Sequence, residues 1–227
     1  MRPFFPYYGS KWNIARHYSE PHGLVIEPFA GSAGYSLFYN CENVVMYDID
    51  PIIAGVWKYL ISASPSDIMT LPDIEEVGDN VDNYPLCDEA KWLIGFWLNR
   101  GSSTPKKART AYSARTDKGQ LNWGRRAKER IANQLIGIRS WTIKLGSYEL
   151  APDVEATWFI DPPYVSKGRY YRHSFSKYQD LADWVVQRKG LVMVCEGEGA
   201  NWLPFLPLGD FKTSLGKSKE VVYIGMS

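Results

Sequence analysis

Short apolar runs alternate with helical stretches along most of this chain. Largely apolar runs that predict β-strands cover residues 24–26, 44–47, 141–145, 156–160 and 191–195. Stretches that predict helices cover residues 13–18, 35–39, 51–61, 89–98, 123–138 and 177–188. Residues 211–215 and 220–225, on either side of Gly-Lys-Ser-Lys, predict a closing β-hairpin. Strands that alternate with helices are typical of an α/β protein.

The strand predicted over 156–160 ends in Asp161-Pro162-Pro163-Tyr164. Proline cannot donate to a β-ladder and keeps the preceding residue extended, so the strand stops here and Asp161 points beyond its end. In open α/β sheets, ligands bind in the crevice outside the carboxyl ends of the strands. A plain strand-to-turn stop is the alternative, because Pro-Pro marks many loops.

A glycine-rich turn, Glu-Pro-Phe-Ala-Gly-Ser-Ala-Gly at 27–34, joins the first predicted strand to a helix. Such a turn lets a ligand approach the backbone closely, but it is not the G-x-G-x-x-G turn of nicotinamide enzymes. Asp48 ends the second strand about 20 residues further on, where a carboxylate can bind both hydroxyls of a ribose. Asp50, before Pro51, is expected to cap the next helix. A cap and a turn without a ligand remain the alternative.

Two further groups of residues could either have a role in function or be ordinary surface and loop residues. Gly9-Ser10-Lys11 lacks the G-x-x-x-x-G-K-[ST] frame of a nucleotide phosphate loop, and Lys11 alone could be an exposed lysine. Glu196 and Glu198 could form a catalytic pair or ligate a metal. Their glycine neighbours favour an ordinary loop at a strand end.

Composition limits the class of protein. The chain has 227 residues, of which 45% are hydrophobic and 15% aromatic, as in a globular protein with a substantial core. No apolar stretch is long enough to cross a membrane, and prolines interrupt the start where a signal peptide needs an apolar helix. Three widely spaced cysteines, Cys41, Cys87 and Cys195, predict reduced thiols in a cytoplasmic protein and no zinc site.

The net charge of +1 hides a strong asymmetry. Residues 100–144 contain twelve Lys and Arg but two acids, Asp117 and Glu129, whereas the remainder carries fourteen basic and twenty-three acidic residues. A basic segment on an acidic body predicts a polyanionic partner, with a solvated charged face as the alternative. The candidate nucleic-acid contacts are Lys106, Lys107, Arg109, Arg115, Trp123, Arg125, Arg126, Lys128 and Arg130. The cations would bind phosphates, and Trp123 and Tyr112 could stack on or wedge between bases.

Taken in order, these motifs resemble those of the alpha-class DNA adenine-N6 methyltransferases, the Dam-like enzymes of bacteria and their phages. Tyr7-Tyr8-Gly9-Ser10-Lys11 comes first, followed by the glycine turn, Asp48-Ile49-Asp50, the basic segment and the Asp-Pro-Pro-Tyr motif. The match spans essentially the whole chain outside the basic segment. The family has Asp or Asn at the first position of this motif for adenine, and usually Ser for cytosine-N4 methylation.

The resemblance implies a Rossmann-like class I S-adenosylmethionine-dependent methyltransferase fold. Residues 1–85 and 140–227 would form the catalytic domain, and residues 86–139 a small, mostly helical insertion that recognises the DNA target. It also implies double-stranded DNA as the partner, no metal, and a monomer or weak dimer. The location would be the cytoplasm of a bacterial or phage-infected cell, with a role of the restriction-modification kind.

The resemblance further implies that the cofactor is S-adenosylmethionine and the product S-adenosylhomocysteine. The cofactor site would comprise Tyr7, Lys11, Glu27, Pro28, Phe29, Ala30, Gly31, Asp48, Ile49, Ser147, Tyr148 and Asp161. Lys11 would bind the methionyl carboxylate, Asp48 the ribose hydroxyls and Ile49 the adenine face. The catalytic residues would be Asp161, Pro162, Pro163 and Tyr164. The chain departs from its relatives at Ser32 and Ala33, where they often have more glycine, and its basic segment is short.

In the mechanism that the motif predicts, the Asp161 carboxylate and the Pro162 carbonyl accept the two N–H bonds of adenine N6. The nitrogen lone pair, otherwise delocalised into the ring, becomes available to react. Tyr164 would stack on a base flipped out of the duplex, and residues 166–174 and 216–219 could close over it. A methyltransferase of the same fold that acts on RNA or on a protein glutamine, or an inactive nucleic-acid-binding relative, remains an alternative.

Overall fold

The computed structural model describes residues 1–116, 123–166, 168–213 and 216–226. Asp117, Lys167 and Leu215, which the sequence places in the basic segment, a glycine-rich loop and a hairpin strand, lie outside these residues. The described residues form seven strands in one sheet, in the order β3-β2-β1-β4-β5-β7-β6. The strands are β1 Val25–Glu27, β2 Val44–Asp48, β3 Thr142–Leu145, β4 Glu155–Ile160, β5 Lys189–Gly197, β6 Leu206–Thr213 and β7 Gly216–Met226.

The strand pairing defines the fold. Strands β1 to β5 pair in parallel, and β7 lies antiparallel between β5 and β6. The strand order reverses between β1 and β4, which is the topological switch point of an open α/β sheet. This is the Rossmann-like fold of class I methyltransferases, as predicted. The carboxyl ends of β1, β2 and β4 therefore meet at one edge of the sheet.

Seven helices surround the sheet in the described residues: α1 Gly34–Tyr39, α2 Pro51–Ser62, α3 Pro65–Met69, α4 Asp88–Leu98, α5 Ala111–Thr116, α6 Arg125–Gln134 and α7 Tyr178–Val185. Asp50 caps α2, with its side chain accepting the Ile52 N–H at 2.9 Å and Pro51 at the first helical position, as predicted. None of these helices is long and apolar enough to span a membrane.

The structure departs from the predicted elements in several places. The helix expected over 13–18 is a single 3₁₀ turn, Ala15–His17. Helix α3 lies in a stretch expected to be loop, and its capping box between Ser64 and Asp67 is a start signal that the sequence reading missed. Helix α5 lies in the polar stretch at 99–117, and α6 ends earlier than expected and continues as a 3₁₀ turn, Leu135–Ile138.

Hydrophobic residues fill both sides of the sheet, and the predicted insertion at 86–139 shares one of these cores. On one side Trp57, Leu60 and Trp141 pack with Phe96 and Ile131, two residues of the segment at 86–139. Phe96 stacks on Phe5 with ring centroids 5.1 Å apart. The division into a catalytic domain and an insertion stays a prediction, but the two parts are packed together through apolar contacts.

Candidate active site

A cleft of about 910 Å³, counted to where it opens to solvent, lies beyond the carboxyl ends of β1, β2 and β4. Every residue predicted to bind the cofactor lines this cleft: Tyr7, Lys11, Glu27, Pro28, Phe29, Ala30, Gly31, Asp48, Ile49, Ser147, Tyr148 and Asp161. Of the predicted catalytic residues, Asp161 and Pro163 line it as well. The structure thus brings together residues more than 150 positions apart. Which of them contact a ligand stays a prediction.

The glycine turn after β1 is shaped by tight backbone packing. Gly31 has φ +45°, and a Cβ there would lie 3.2 Å from the ring of Tyr7, so this position favours glycine. The indole of Trp57 donates to the Gly31 carbonyl at 2.8 Å and fixes the turn from below. Ala33 also has a left-handed conformation, with φ 47°, where glycine would be less strained. Three N–H groups of this turn are already bonded within the protein: Ala30 donates to the Tyr47 carbonyl at 2.9 Å, Ala33 to the Ala30 carbonyl at 2.7 Å, and Gly31 to Asp48.

Asp48 stands at the end of β2 and faces the cleft. Its Oδ2 accepts the Gly31 N–H at 3.0 Å, and its Oδ1 accepts the Asp50 N–H at 2.9 Å. Burial raises the pKa of Asp48 to about 6, and these two hydrogen bonds oppose that rise. Each carboxylate oxygen retains a second lone pair, so Asp48 can accept two ligand hydroxyls without losing its backbone contacts.

Aromatic and aliphatic side chains form one wall of the cleft beside Asp48. Phe29 and Tyr148 stack with ring centroids 5.6 Å apart, and Phe175 meets Phe29 edge to face at 5.6 Å. Ile49 is 45% exposed, which is unusual for isoleucine in a region this well packed. An apolar wall next to a carboxylate suits a flat aromatic base joined to a sugar.

Glu27 lines the cleft, and its carboxylate stabilises the fold. Its carboxylate accepts both the N–H of Ser36, at 3.0 Å, and its hydroxyl, at 2.5 Å. Burial raises the pKa of Glu27 to about 7, and the bonds from Ser36 oppose that rise. Glu27 therefore anchors α1 behind the glycine turn, and its contact with a cofactor stays a prediction.

Lys11 and Asp161 form an ion pair in the centre of the site. Lys11 Nζ donates to Asp161 Oδ2 at 2.8 Å and to the Gly9 carbonyl at 3.0 Å, and it lies 2.7 Å from Asp161 Oδ1. Lys11 is 6% exposed, so it is not the surface lysine that the sequence left open. Burial opposes its charge, but Asp161 outweighs this effect and the pKa of Lys11 is raised.

Asp161 combines a buried position with an available acceptor. Burial raises its pKa to about 6, although Lys11 acts in the opposite direction, and Glu220 and Glu196 add to the rise. Within the described part of the chain, Asp161 Oδ1 is buried and accepts no well-aligned hydrogen bond, despite its short contact with the Lys11 ammonium. A buried acceptor of this kind is suited to an N–H donor from a ligand.

Pro163, Tyr164 and Val165 are each hydrogen-bonded to a different element of the fold. The Tyr178 hydroxyl, on α7, donates to the Pro163 carbonyl at 2.8 Å. The Tyr164 hydroxyl donates to Glu220, on β7, at 2.5 Å, and the Val165 N–H donates to Glu196, on β5, at 3.2 Å. The turn that carries Asp161 is therefore rigidly supported.

Tyr164 lies under the site and not on its wall. It is 4% exposed, and Lys11 Nζ lies 4.8 Å from the centre of its ring. Pro162 is also buried and does not line the cleft. Stacking of Tyr164 on a base, as the resemblance implies, would require Lys11 to leave the ring face or the base to meet the opposite face. That role stays a prediction.

Glu196 and Glu198 do not act as a pair. Glu196 is buried, where its oxygens accept the N–H groups of Gly197, at 2.8 Å, and of the Trp202 indole, at 3.2 Å. Glu198 is exposed and binds Lys219 at 2.9 Å. Among the described residues no cluster of three or more His, Cys, Asp or Glu side chains could hold a metal.

Tyr171, Arg172 and His173 also line the cleft. They belong to the loop at 166–174 that could close over the base, but none of them was predicted to bind the cofactor. Arg172 Nε lies 3.6 Å from one Asp50 oxygen, and His173 Nε2 lies 3.9 Å from the other. Tyr171 packs so close to Gly9 that a Cβ there would meet its hydroxyl. The signal was a run of large Arg, Tyr and His side chains just after the catalytic motif, which is unusual for a simple loop.

The predicted nucleic-acid contacts divide into buried and exposed side chains. Trp123 is 4% exposed and its indole donates to the Pro72 carbonyl at 2.8 Å. Lys128 is 6% exposed, donates to the Leu71 carbonyl at 2.9 Å and pairs with Asp73 at 2.8 Å. These partners correct the roles expected for both residues: Trp123 and Lys128 stabilise the fold and do not present a stacking ring or a free cation.

The other basic residues differ in how far they are engaged. Arg109 donates to the Ile74 carbonyl at 3.1 Å, and Arg130 donates to the Pro3 carbonyl at 3.1 Å and lies over the Trp97 ring. Lys107 is exposed but pairs with Asp82. Lys106, Arg115, Arg125 and Arg126 are exposed as well, and Arg125 is bound to Glu129 at 2.7 Å. This smaller set is the candidate phosphate-binding surface.

Comparisons with known proteins add little beyond the fold. No family model and no curated protein matches this chain. Among solved structures, the chain is similar to one titled "Putative methyltransferase yhhF from Escherichia coli", with a TM-score of 0.40 and 10% identity over 92% of this chain and 77% of the other. It is also similar to a "conserved hypothetical protein" of Streptococcus pyogenes, with a TM-score of 0.39 and 11% identity over 96% and 94%. These similarities are too weak to support an argument. The fold is therefore assigned from the strand order, and the function is inferred from the residues of the site.

Proposed function

We propose that this protein transfers a methyl group from S-adenosylmethionine to N6 of an adenine in DNA. The observation that carries the proposal is the position of Asp161: a buried carboxylate with an available acceptor oxygen, at the end of β4, in the same cleft as Asp48. One carboxylate suits the hydroxyls of a nucleoside, and the other suits an exocyclic amine. The Asp-Pro-Pro-Tyr motif supports adenine as the source of that amine.

The residues of the cleft fit S-adenosylmethionine. Asp48 has lone pairs available for the ribose hydroxyls, and the wall of Phe29, Tyr148 and Ile49 would cover the adenine ring. The absence of a Cβ at Gly31 keeps the backbone accessible. When bound, the cofactor would supply an electrophilic methyl group on a sulfonium sulfur and leave as S-adenosylhomocysteine.

Asp161 would orient and activate the target amine. Its carboxylate would accept one N–H of adenine N6, which draws the nitrogen lone pair out of conjugation with the ring, and would take the proton that N6 loses on methylation. The Pro162 carbonyl, which does not line the cleft in this structure, would have to become accessible to accept the other N–H. Above its pKa of about 6 Asp161 is ionised and able to accept. Because the carboxylate is buried and fixed in advance, this electrostatic contribution is worth more than it would be in water.

Lys11 takes a role that differs from the one the resemblance implies. Its ammonium binds Asp161 and the Gly9 carbonyl, so it keeps the buried carboxylate ionised and fixes its orientation. In this proposal Lys11 is a positioning residue for Asp161. The methionyl carboxylate would then be bound by backbone N–H groups of the glycine turn other than those of Ala30, Gly31 and Ala33, which donate within the protein.

DNA is the favoured substrate because of the exposed cations on the basic segment. Lys106, Arg115, Arg125 and Arg126 would bind phosphates. The target base has to leave the duplex, since Asp161 lies inside the cleft at the sheet edge with its side chain 17% exposed, where a paired base could not reach it. RNA carries the same phosphate charge, so an experiment has to distinguish DNA from RNA as the substrate.

The test is transfer of a labelled methyl group to adenine-containing duplex DNA, single-stranded DNA and RNA in parallel. We expect label on N6 of adenine in DNA. Asp161→Ala should lower the single-turnover rate by about 10²–10³-fold, the usual effect of removing a group that stabilises a transition state. Cofactor binding measured by calorimetry should change only a few-fold.

Asp183→Ala is the matched control, because Asp183 is an exposed carboxylate on α7 outside the cleft. Its rate should equal that of the unmodified protein. Equal activity of the Asp161→Ala variant would remove Asp161 from the proposed role, and preferential labelling of RNA would replace DNA as the substrate. Labelling of none of the three would leave the proposed function without support.

A further inference from the structure

Glu220 is a buried carboxylate with two close hydroxyl partners. It lies on β7 and is 8% exposed. Its Oε2 accepts the Tyr164 hydroxyl at 2.5 Å, and its Oε1 accepts the Ser218 hydroxyl at 2.6 Å. A hydrogen bond from a hydroxyl to a carboxylate is at the short, strong end of the range at such distances. Both oxygens of Glu220 thus bind named partners, and one of these belongs to the catalytic motif.

The contacts of Tyr164 connect Glu220 to the catalytic carboxylate. Lys11 Nζ lies 4.8 Å above the Tyr164 ring, and the same ammonium donates to Asp161. A cation over a buried aromatic ring is held by the ring's quadrupole, so the position of the ring influences the position of the cation. The order of contact is Glu220 to Tyr164, Tyr164 to Lys11, and Lys11 to Asp161.

Packing alone does not account for a glutamate at this position. Burying a charge is costly, and a phenylalanine at 164 beside an apolar residue at 220 would fill the same space without a buried carboxylate. The structure instead keeps a charged acceptor for the phenol next to a site with one central ammonium. A charged acceptor fixes the phenol in one orientation more firmly than a neutral one would.

We propose that Glu220 is a positioning residue for methyl transfer: through the Tyr164 hydroxyl it fixes the ring on which Lys11 rests, and thereby the orientation of Asp161. This inference rests on the proposed function and names a further residue of the same site. It gives the closing hairpin of the sheet a part in catalysis, because β7 supplies the group that supports the motif at the end of β4.

The test compares Glu220→Gln, Tyr164→Phe and the double variant in single-turnover methyl transfer, with cofactor affinity and thermal unfolding measured for each. Glu220→Gln keeps the shape and one acceptor oxygen but removes the charge. We expect each single variant to be slowed about tenfold with cofactor affinity unchanged within twofold. The double variant should be no slower than Tyr164→Phe, because both changes act through one contact.

Glu198→Gln is the matched control, because it removes a carboxylate just beyond β5 that is exposed and paired with Lys219. It should leave the rate unchanged. A rate for Glu220→Gln within twofold of the unmodified protein would overturn the inference, as would rate losses that multiply in the double variant. If Glu220→Gln fails to fold, a Tyr164→Phe variant that folds and retains the full rate overturns it as well. Failure of the unmodified protein to methylate any nucleic acid would instead overturn the proposed function.

Discussion

The cofactor residues were predicted from motifs and the nucleic-acid contacts from an excess of positive charge, and the structure places the two sets differently. In the cleft, every predicted cofactor residue lines one cavity at the ends of β1, β2 and β4. In the basic segment, two of the predicted contacts, Trp123 and Lys128, are buried and bound to the protein's own carbonyls. The motif residues therefore lie together in one region, whereas the residues chosen by charge are divided between the surface and the interior.

The difference has a topological cause. A residue at the carboxyl end of a parallel strand has its location fixed by the sheet, because parallel neighbours end at the same edge. A cation in a helical segment can face solvent or the core, and a count of charge does not say which. Lys128 shows the consequence, because it pairs with Asp73 and does not point to solvent. Position in a sheet is thus a stronger guide than net charge.

The largest expected effect is a loss of stability in the Trp123→Ala variant, which tests whether Trp123 belongs to the core. Removing a buried tryptophan leaves a cavity and one unpaired carbonyl, which should lower the free energy of unfolding by about 3–5 kcal/mol. Thermal or denaturant unfolding measures it. Ile136→Ala is the control, because Ile136 is 81% exposed and should change stability by less than about 0.5 kcal/mol. Unchanged stability of Trp123→Ala, with weaker DNA binding, would restore the stacking role.

The next effect concerns the cleft, where Asp48→Ala should weaken cofactor binding with the fold retained. Loss of hydrogen bonds to a charged group costs about 1.5–3 kcal/mol, or roughly 10–100-fold in affinity. Binding calorimetry measures this, with Asp153→Ala, an exposed carboxylate, as the control. Equal affinity of Asp48→Ala and the unmodified protein would place the ribose elsewhere.

The same residue predicts a pH dependence of cofactor affinity. Burial raises the pKa of Asp48 to about 6. Above this pH the carboxylate accepts hydroxyl hydrogen bonds, and below it the protonated group loses part of that capacity, so affinity should fall as the pH drops through about 6. Asp48→Ala should flatten this decline. An unchanged profile would assign the titration to another group in the cleft.

Much of the fold could be predicted because its signals are local. The apolar runs that became β2 and β4 lie in the predicted places, and Pro51 after Asp50 marked the start of α2 correctly. The pair of Lys11 and Asp161 had no local signal, because 150 residues separate its members and the contact exists only after folding. The bond from Tyr164 to Glu220 is of the same kind.

Some of the corrections could have been found in the helical spacing of α6. Lys128 lies three and four positions before Ile131 and Ala132, which are buried, so it shares the helix face that packs on the protein. Arg126 falls on the opposite face, whereas Arg125 is seven positions before Ala132 and is exposed because it begins the helix. A prediction that combined charge with helical phase would have separated Lys128 from Arg126.

The smallest expected effect tests those arginines directly. Reversing both charges, Arg125→Glu with Arg126→Glu, should weaken DNA binding and reduce the slope of log affinity against log salt by about 1.8, since each lost phosphate contact contributes about 0.9 for duplex DNA. The fold should tolerate the change, because acidic residues at the start of a helix interact favourably with its dipole. Titrations of a fluorescent duplex at several salt concentrations measure the slope.

Lys128→Met is the control for this last experiment. It removes one positive charge from the same helix, but that charge already neutralises Asp73 and binds the Leu71 carbonyl. The variant should therefore unfold more easily and keep the salt slope of the unmodified protein. A slope that falls equally in the two variants would mean that net charge alone governs the interaction. A slope that falls only for the arginine variant identifies the start of α6 as the surface that meets the phosphates.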